Sequence, residues 1–236
     1  PTGKDIVKDT LNFDINEADN YALEEAVLLK EKFGGKITLI SVGEEECEHI
    51  LRMGLARGAD DAIRITDEKF SELDGFATAQ ILYSVIKDIH FDIIFTGCIA
   101  TDDGYSQVGP TLAELLGIPH ATLVTSIEVK GGIARVHREL EAGLLEAVDI
   151  KLPALFAVQT GINKPRYASL IAIRRAASKE LKVLSSKDIG LEEPRRKIKI
   201  ESLFVPPVTK RAEIIEGSPP EAAAKLAEII KEKGLL

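Results

Sequence analysis

Tryptophan is absent from this 236-residue chain, methionine occurs once, and aromatic residues make up only 5 % of it. A surface on which nucleic-acid bases stack needs more rings than that. Cations are also in the minority, 30 Lys and Arg against 38 Asp and Glu, and the formal net charge of −8 argues against nucleic acid or an anionic membrane as the main partner. No apolar run approaches the ~18–20 residues of a membrane-spanning helix. Cysteine occurs twice, at Cys47 and Cys98, with no metal-ligand spacing. Both read as buried thiols in a reducing, cytoplasmic setting. The four histidines, His49, His90, His120 and His137, suggest no metal site either. There is no G-x-S-x-G, no H-E-x-x-H, no Walker loop, no Rossmann G-x-G-x-x-G and no paired-cysteine motif, so no catalytic constellation is legible.

What the chain does have is the composition of a globular protein, 45 % apolar and 29 % charged, and a regular rhythm. Helical periodicity over 20–32, with Asp19 as N-cap, is stopped by Gly34-Gly35. A β-branched strand follows at 36–42, then a helix at 44–57 closed by Gly58, a strand at 62–65 and a helix at 75–89. The nearly continuous apolar run at 92–96 predicts a strand covered on both faces, and 105–116 predicts a helix closed by Gly117. This alternation is that of a doubly wound, mostly parallel α/β sheet. It opens on a helix where such a sheet ordinarily opens on a strand, and the chain starts at Pro1, so a further strand is expected upstream. The pattern then changes. Strands at 123–129 and 133–139 flank Lys130-Gly131-Gly132, a hairpin signal, and strands at 143–150 and 154–158 follow. The α/β domain is expected to span 1–178. From 179 to 236 a charged segment with Pro194, Pro206 and Pro207 leads to a helix at 219–233, with Ser218 as N-cap. That segment reads as an arm lying on another subunit, or as a linker to a tethered helix.

The segment from Thr96 to Pro110 follows a buried strand and opens a helix, where open α/β sheets bind ligands. Gly97, Gly104 and Gly109 allow close backbone approach. The first amides of the helix can hold a phosphate, with Ser106 and Gln107 adding side-chain hydrogen bonds. No Lys or Arg is present, which favours a monophosphate or diphosphate over a triphosphate. The other reading is an Asp/Gly-rich turn that merely caps a helix. Ser41-Val42-Gly43 and residues 16–19 could line the same crevice. Residues 164–175, with Lys164, Arg166, Tyr167, Leu170, Arg174 and Arg175, gather cations in an otherwise acidic protein. They read either as a docking surface with Arg and aliphatic anchors or as an amphipathic helix on its own sheet.

The stretch Val136-His137-Arg138-Glu139-Leu140-Glu141-Ala142-Gly143-Leu144-Leu145-Glu146-Ala147-Val148, followed by Lys151-Leu152-Pro153-Ala154-Leu155, resembles the signature of electron transfer flavoprotein β subunits, with slight departures at Ala142 and Phe156. Further matches run in order through Ala22-Leu23-Glu24-Glu25-Ala26, Gly58-Ala59-Asp60, the loop 102–109 and Asn163-Lys164-Pro165-Arg166-Tyr167-Ala168. The resemblance covers nearly the whole chain apart from the family's usual first strand. It implies a universal-stress-protein-like nucleotide-binding fold and a heterodimer with an α subunit that holds the redox-active FAD. It further implies an adenine nucleotide in this chain, AMP in most members and a second FAD in electron-bifurcating ones. The matching nucleotide residues are Asn16, Glu17, Ala18, Asp19, Val42, Gly97, Asp102, Asp103, Gly104, Ser106, Gln107 and Val108. Glu139 matches a residue that orients the flavin domain. Residues 166–175 match the loop that anchors partner dehydrogenases, with Leu170 as the apolar anchor beside Arg166, Tyr167, Arg174 and Arg175. Partners implied are an acyl-CoA or other dehydrogenase, and a quinone reductase or ferredoxin as acceptor. Ser106-Gln107-Val108 looks like bifurcating members, whereas Asp103-Gly104-Tyr105 does not, and Ile171 stands where the common branch often has Pro. A regulatory AMP- or ATP-binding homodimer of the universal-stress kind would share the α/β body, but the hairpin and the long arm do not suit it. An adenylating α-hydrolase would need a Ser-Gly-Gly-x-Asp loop, and none is present.

Overall fold

The computed structural model describes residues 3, 6–7, 11–70, 72–191, 193–207, 212 and 214–235. The chain divides into two compact units, residues 8–199 and residues 1–7 together with 200–236. In the first unit the elements run α1 (Glu17–Phe33), β1 (Thr38–Val42), α2 (Cys47–Arg57), β2 (Asp61–Ile65), α3 (Gly75–Ile86), β3 (Ile93–Gly97), α4 (Val108–Leu116), β4 (His120–Lys130) and β5 (Ile133–Glu139). A 3-10 turn (Glu141–Gly143), β6 (Leu145–Lys151), β7 (Ala154–Val158), α5 (Leu170–Ala177) and β8 (Lys182–Leu184) follow. The second unit carries α6 (Pro219–Glu232).

The strands form two sheets rather than the single one expected. One is parallel, in the order β1-β2-β8, and the other is mixed, in the order β3-β7-β4-β5-β6. Among the described residues β1 pairs only with β2 and β3 only with β7, so the ladder divides there. The helices bridge the division: Ile40 of β1 and Ile94 of β3 both pack on the cluster of Ala79, Ile86, Leu112, Ala113 and Leu155. β3, β7 and the start of β4 are mutually parallel, while β4, β5 and β6 form an antiparallel meander. Its first turn is Gly131-Gly132, both at positive φ (58° and 78°), the two-residue turn that matches strand twist. β4 serves both halves by way of an irregularity between Ala121 and Val124, where Leu123 takes a positive φ of 55°. β7 is buried at every position, and Leu155 and Phe156 are among the largest fully buried side chains. Each contributes on the order of 1.5–3 kcal/mol by burial.

Three boundaries move. α1 begins at Glu17, so Asp19 lies inside its first turn and Asn16 is the N-cap. α4 begins at Val108 rather than Tyr105, because Ser106 at φ 55° cannot be helical. The charged run after 178 does not leave the body at once: β8 pairs in parallel with β2, Ser186 and Ile189 are buried, and the body continues to Lys199. Asp74 holds the end of this extension. It caps α3 through Ala77 N (2.7 Å) and also accepts from the amides of Lys197 and Ile198. The helix at 219–232 starts as its sequence predicts, with the Glu221 carboxylate accepting from the Ser218 amide (2.9 Å) and hydroxyl (2.7 Å).

Candidate functional site

α1 and α4 both begin at the C-terminal end of β3. Asn16 makes no side-chain bond to the amides of its own helix. Its side chain reaches the next loop instead. Nδ2 donates to the Ile99 carbonyl at 2.8 Å and to Asp19 Oδ2 at 2.7 Å, and Oδ1 accepts from the Thr101 amide at 3.1 Å. Asp19 Oδ1 accepts from the Gly97 amide at 2.7 Å, a charge-assisted bond and so a comparatively strong one. Together these two side chains fasten the start of α1 to residues 97–101. The fastening requires glycine at 97. A Cβ there would lie 2.8 Å from the Asp19 amide nitrogen, 2.8 Å from Asp19 Oδ2 and 2.9 Å from Ala18 Cβ.

The loop that follows is shaped by its own carboxylates. Asp102 accepts from the Asp103 amide at 2.8 Å, Asp103 accepts from the Tyr105 amide at 3.0 Å, and the Gly104 amide donates to the Ala100 carbonyl at 2.9 Å. Residues 101–107 are exposed. Gln107 caps α4 without a side-chain bond. The amides of Val108 and Gly109 therefore have no intrahelical acceptor, and Pro110 has no amide hydrogen at all. Gly109 also permits close packing: a Cβ there would stand 2.6 Å from Thr96 Oγ1, a buried hydroxyl with no partner among the described residues. An uncapped helix start at the carboxyl end of a parallel strand can hold a phosphate group.

The other residues singled out from the sequence are distributed around this point. Val42 ends β1, but its side chain packs with the cluster of Ile63, Ile65 and Ile81, which leaves its backbone for any ligand. Glu139 ends β5, where Gln159 Nε2 donates to it at 3.4 Å, and Cys98 Sγ contacts Gln159 Oε1 at 3.4 Å. Burial pushes the Cys98 thiol up, and the nearby Asp19 and Glu139 carboxylates add to the rise, so it stays a protonated thiol. Neither cysteine forms a disulfide. Tyr167, Leu170, Arg174 and Arg175 are on or beside α5, with Tyr167 95 % and Leu170 77 % exposed. Arg166 points a different way, onto Glu24 and Glu31 of α1.

Sequence reasoning passed over Gln159 and Glu31, and named Thr96 and Glu24 only as members of a segment or motif, without a role. Only Glu24 and Glu31 left a signal, their i, i+7 spacing on one helix face. Asp60, in a motif noted without a role, accepts from Lys30 Nζ at 2.7 Å and from the Ile37 amide at 2.8 Å, which locks α1 to the β1 edge.

The fold and this loop arrangement define an α/β protein of open, mostly parallel sheets whose candidate ligand site sits at the strand ends. The profile of the electron transfer flavoprotein domain matches residues 5–189. The electron transfer flavoprotein subunit beta of Bacillus subtilis (strain 168) is 40 % identical over 235 residues, 98 % of this chain and 91 % of that protein. The subunit of the same name from Methylophilus methylotrophus is 38 % identical over 239 residues, 98 % of this chain and 90 % of that protein. The acryloyl-CoA reductase electron transfer subunit gamma of Anaerotignum propionicum is 32 % identical over 236 residues, 94 % and 88 % respectively. The chain belongs to the electron transfer flavoprotein family, on its β-subunit side.

Proposed function

We propose that this chain is the small subunit of a heterodimeric electron carrier that works in the cytoplasm and binds the adenylate part of a nucleotide, either AMP or a second FAD. The observation that carries the reading is the junction at the end of β3. Two helix starts are fastened side by side through Asn16, Asp19 and Gly97, and the amides of Val108 and Gly109 have no acceptor among the described residues. Those amides bind the phosphate. Ser106 and Gln107 add hydrogen bonds from the loop. Asp102 and Asp103 hold the loop's shape, because their carboxylates are already engaged by its amides. The lack of a cation suits one or two phosphates. Residues 16–19 and the backbone at Val42 form the remaining walls.

FAD, held mainly by the α subunit, supplies the electron-transfer chemistry. This chain supplies positions for it. Glu139, steadied by Gln159, faces the flavin-bearing domain. The exposed Leu203, Phe204 and Val205 of the 200–236 segment are surface that the α subunit covers. Tyr167, Leu170, Arg174 and Arg175 meet an acyl-CoA or other dehydrogenase as donor, and a quinone reductase or ferredoxin accepts the electrons. The test is the cofactor content of the copurified heterodimer after denaturing extraction. One FAD with one AMP, or two FAD with no AMP, supports an adenylate site here, and the ratio says which nucleotide fills it. One FAD with no second nucleotide refutes it.

A further inference from the structure

We infer that Arg166 is not a partner contact but a positioning residue, which α1 holds through Glu24 and Glu31 so that the Tyr167–Ile171 edge is presented in one fixed orientation. The inference rests on the docking role proposed above for that edge. Glu24 and Glu31 are two helical turns apart on one face of α1. The Glu24 side chain is 7 % exposed. Its carboxylate accepts from the Arg166 backbone amide at 3.0 Å, from Nε at 3.0 Å and from Nη2 at 2.9 Å. Glu31 accepts from Nη1 at 2.5 Å and from Nη2 at 3.0 Å. All three guanidinium nitrogens are thus engaged within the chain, in the forked geometry for which arginine is suited and lysine is not.

The neighbouring residues act in the same sense. Asn163 Nδ2 donates to the Tyr21 carbonyl and to Glu25 Oε2, both at 3.0 Å. Burial raises the Glu25 carboxyl, and the adjacent Glu24 adds to this against the Asn163 hydrogen bond. The Arg166 hydrogen bond lowers the Glu31 carboxyl, which keeps the outer half of the clamp ionised. Just beyond the clamp the chain turns outward. Tyr167, Leu170 and Ile171 are 95, 77 and 65 % exposed, and Ser169 starts α5 by accepting from the Ala172 amide at 3.2 Å. The far end of α5 is held separately, by Ala176 buried against α2 and by Arg52 Nη1 donating to the carbonyls of Ala176, Ala177 and Lys179, so the clamp is what fixes the near, Tyr167 end of the edge.

The experiment uses the flavin-loaded heterodimer as electron acceptor for an acyl-CoA dehydrogenase, together with chymotryptic cleavage after Tyr167. The variants are Glu24→Gln, Glu31→Gln, Arg166→Gln, the Glu24→Gln/Arg166→Gln double variant and Leu170→Ala. Glu24→Gln and Arg166→Gln are each expected to raise the KM for the heterodimer about fivefold or more, with kcat and flavin content unchanged, and to speed cleavage. The double variant should be no worse than either single one. Glu31→Gln, on an exposed side chain that folding does not require, should move both readouts in the same direction by less. If Arg166→Gln raises KM while Glu24→Gln and Glu31→Gln do not, or if the double variant is additive, the inference is overturned and Arg166 touches the partner itself. If Leu170→Ala also leaves KM unchanged, the docking role fails instead. The cleavage rate then still decides whether the clamp holds the edge, and an unchanged rate in Glu24→Gln overturns it.

Discussion

The most direct perturbation of the junction at the end of β3 is Gly97→Ala. Gly97 is not in the left-handed region, so the cost is one of space alone. The added methyl would stand at 2.8 Å from a backbone nitrogen and 2.8 Å from a carboxylate oxygen of Asp19. Neither atom is the free end of a flexible side chain, because Asp19 is held at both oxygens, by Gly97 and by Asn16. Either α1 shifts away from β3 or the Gly97–Asp19 bond opens. Forced overpacking of this kind costs about 1–3 kcal/mol. In a body of this size that is a fall in melting temperature of about 2–12 °C. Displacement of α1 also moves Asn16 off residues 99–101, so the variant should lose the stabilisation by added AMP that the proposed adenylate site predicts for the wild type. The assay is thermal melting of the heterodimer with and without AMP. Gly104→Ala is the contrast: nothing lies within 4 Å of its Cβ, but φ is 68°, so it should cost about 1 kcal/mol through strain and spare the junction. A Gly97→Ala melting temperature within about 1 °C of wild type, with the AMP response intact, would refute the claim that close approach at 97 holds the site together.

Asn16→Ala should weaken nucleotide binding about tenfold while changing stability by no more than about 1–2 kcal/mol, read by titration calorimetry and urea denaturation, because it removes two hydrogen bonds to the loop and one to Asp19 at a partly exposed position. Ala142→Gly should stabilise the protein by about 0.5–1 kcal/mol in the same urea experiment: Ala142 sits at φ 58°, where glycine incurs no Cβ clash. Asp74→Ala should cost about 2–4 kcal/mol, since it strips the cap of α3 and the acceptor for the Lys197 and Ile198 amides. The effect depends on pH. Burial would raise this carboxyl, but the amides around it outweigh burial and hold it below its ordinary 3.8. A depressed carboxyl contributes its full stability above about pH 3.8 and loses it as pH falls through the lower folded value. The difference between wild type and Asp74→Ala should therefore be level from pH 7 to about pH 5 and shrink below about pH 3.8.

The α/β alternation was legible because it rests on local signals. Strands rich in Ile and Val, and glycines at 58 and 117 that close helices, need no tertiary information. The hairpin at Gly131-Gly132 was legible for the same reason. β8 was not: Lys182–Leu184 is a three-residue strand in a charged stretch, and only its parallel pairing with β2 makes it one. The division of the sheet was equally invisible, since which strand neighbours which depends on contacts far apart in sequence. At the candidate site the family resemblance pointed to positions, but it carried no information on what their side chains do within the chain. Asn16 and Asp19 read as ligand-facing residues, and their side chains turn out to be committed to Ile99, Thr101 and Gly97, bonds that span about eighty residues of chain. Arg166 read as a partner-recognition cation, and its partner Glu24 lies 142 positions away. Polar side chains that bind the chain to itself are indistinguishable, in sequence, from those that bind something else.

These commitments share one helix. α1 is fastened at Asn16 and Asp19 to the loop after β3, at Glu24, Glu25 and Glu31 to residues 163–166, and at Lys30 to Asp60. Asp19 and Glu24 are five residues apart, about 7.5 Å along the axis. A rod fixed at three places cannot translate at one without loading the others, so the proposed nucleotide loop and the proposed docking edge rest on the same rigid part. Each fastening is nevertheless made by its own side chains. Point changes at Asp19 and at Glu24 should then be separable, the first acting on nucleotide content and the second on partner KM. A change that breaks the rod between them should not be. Leu23→Pro removes the intrahelical bond from residue 23 to Asp19 and kinks the helix between the two anchors. It is expected to lower nucleotide content and raise partner KM together in whatever fraction of heterodimer still assembles. If Leu23→Pro heterodimer keeps its nucleotide while losing only its partner, the two ends of α1 are independent, and the helix is a spacer rather than a common mount.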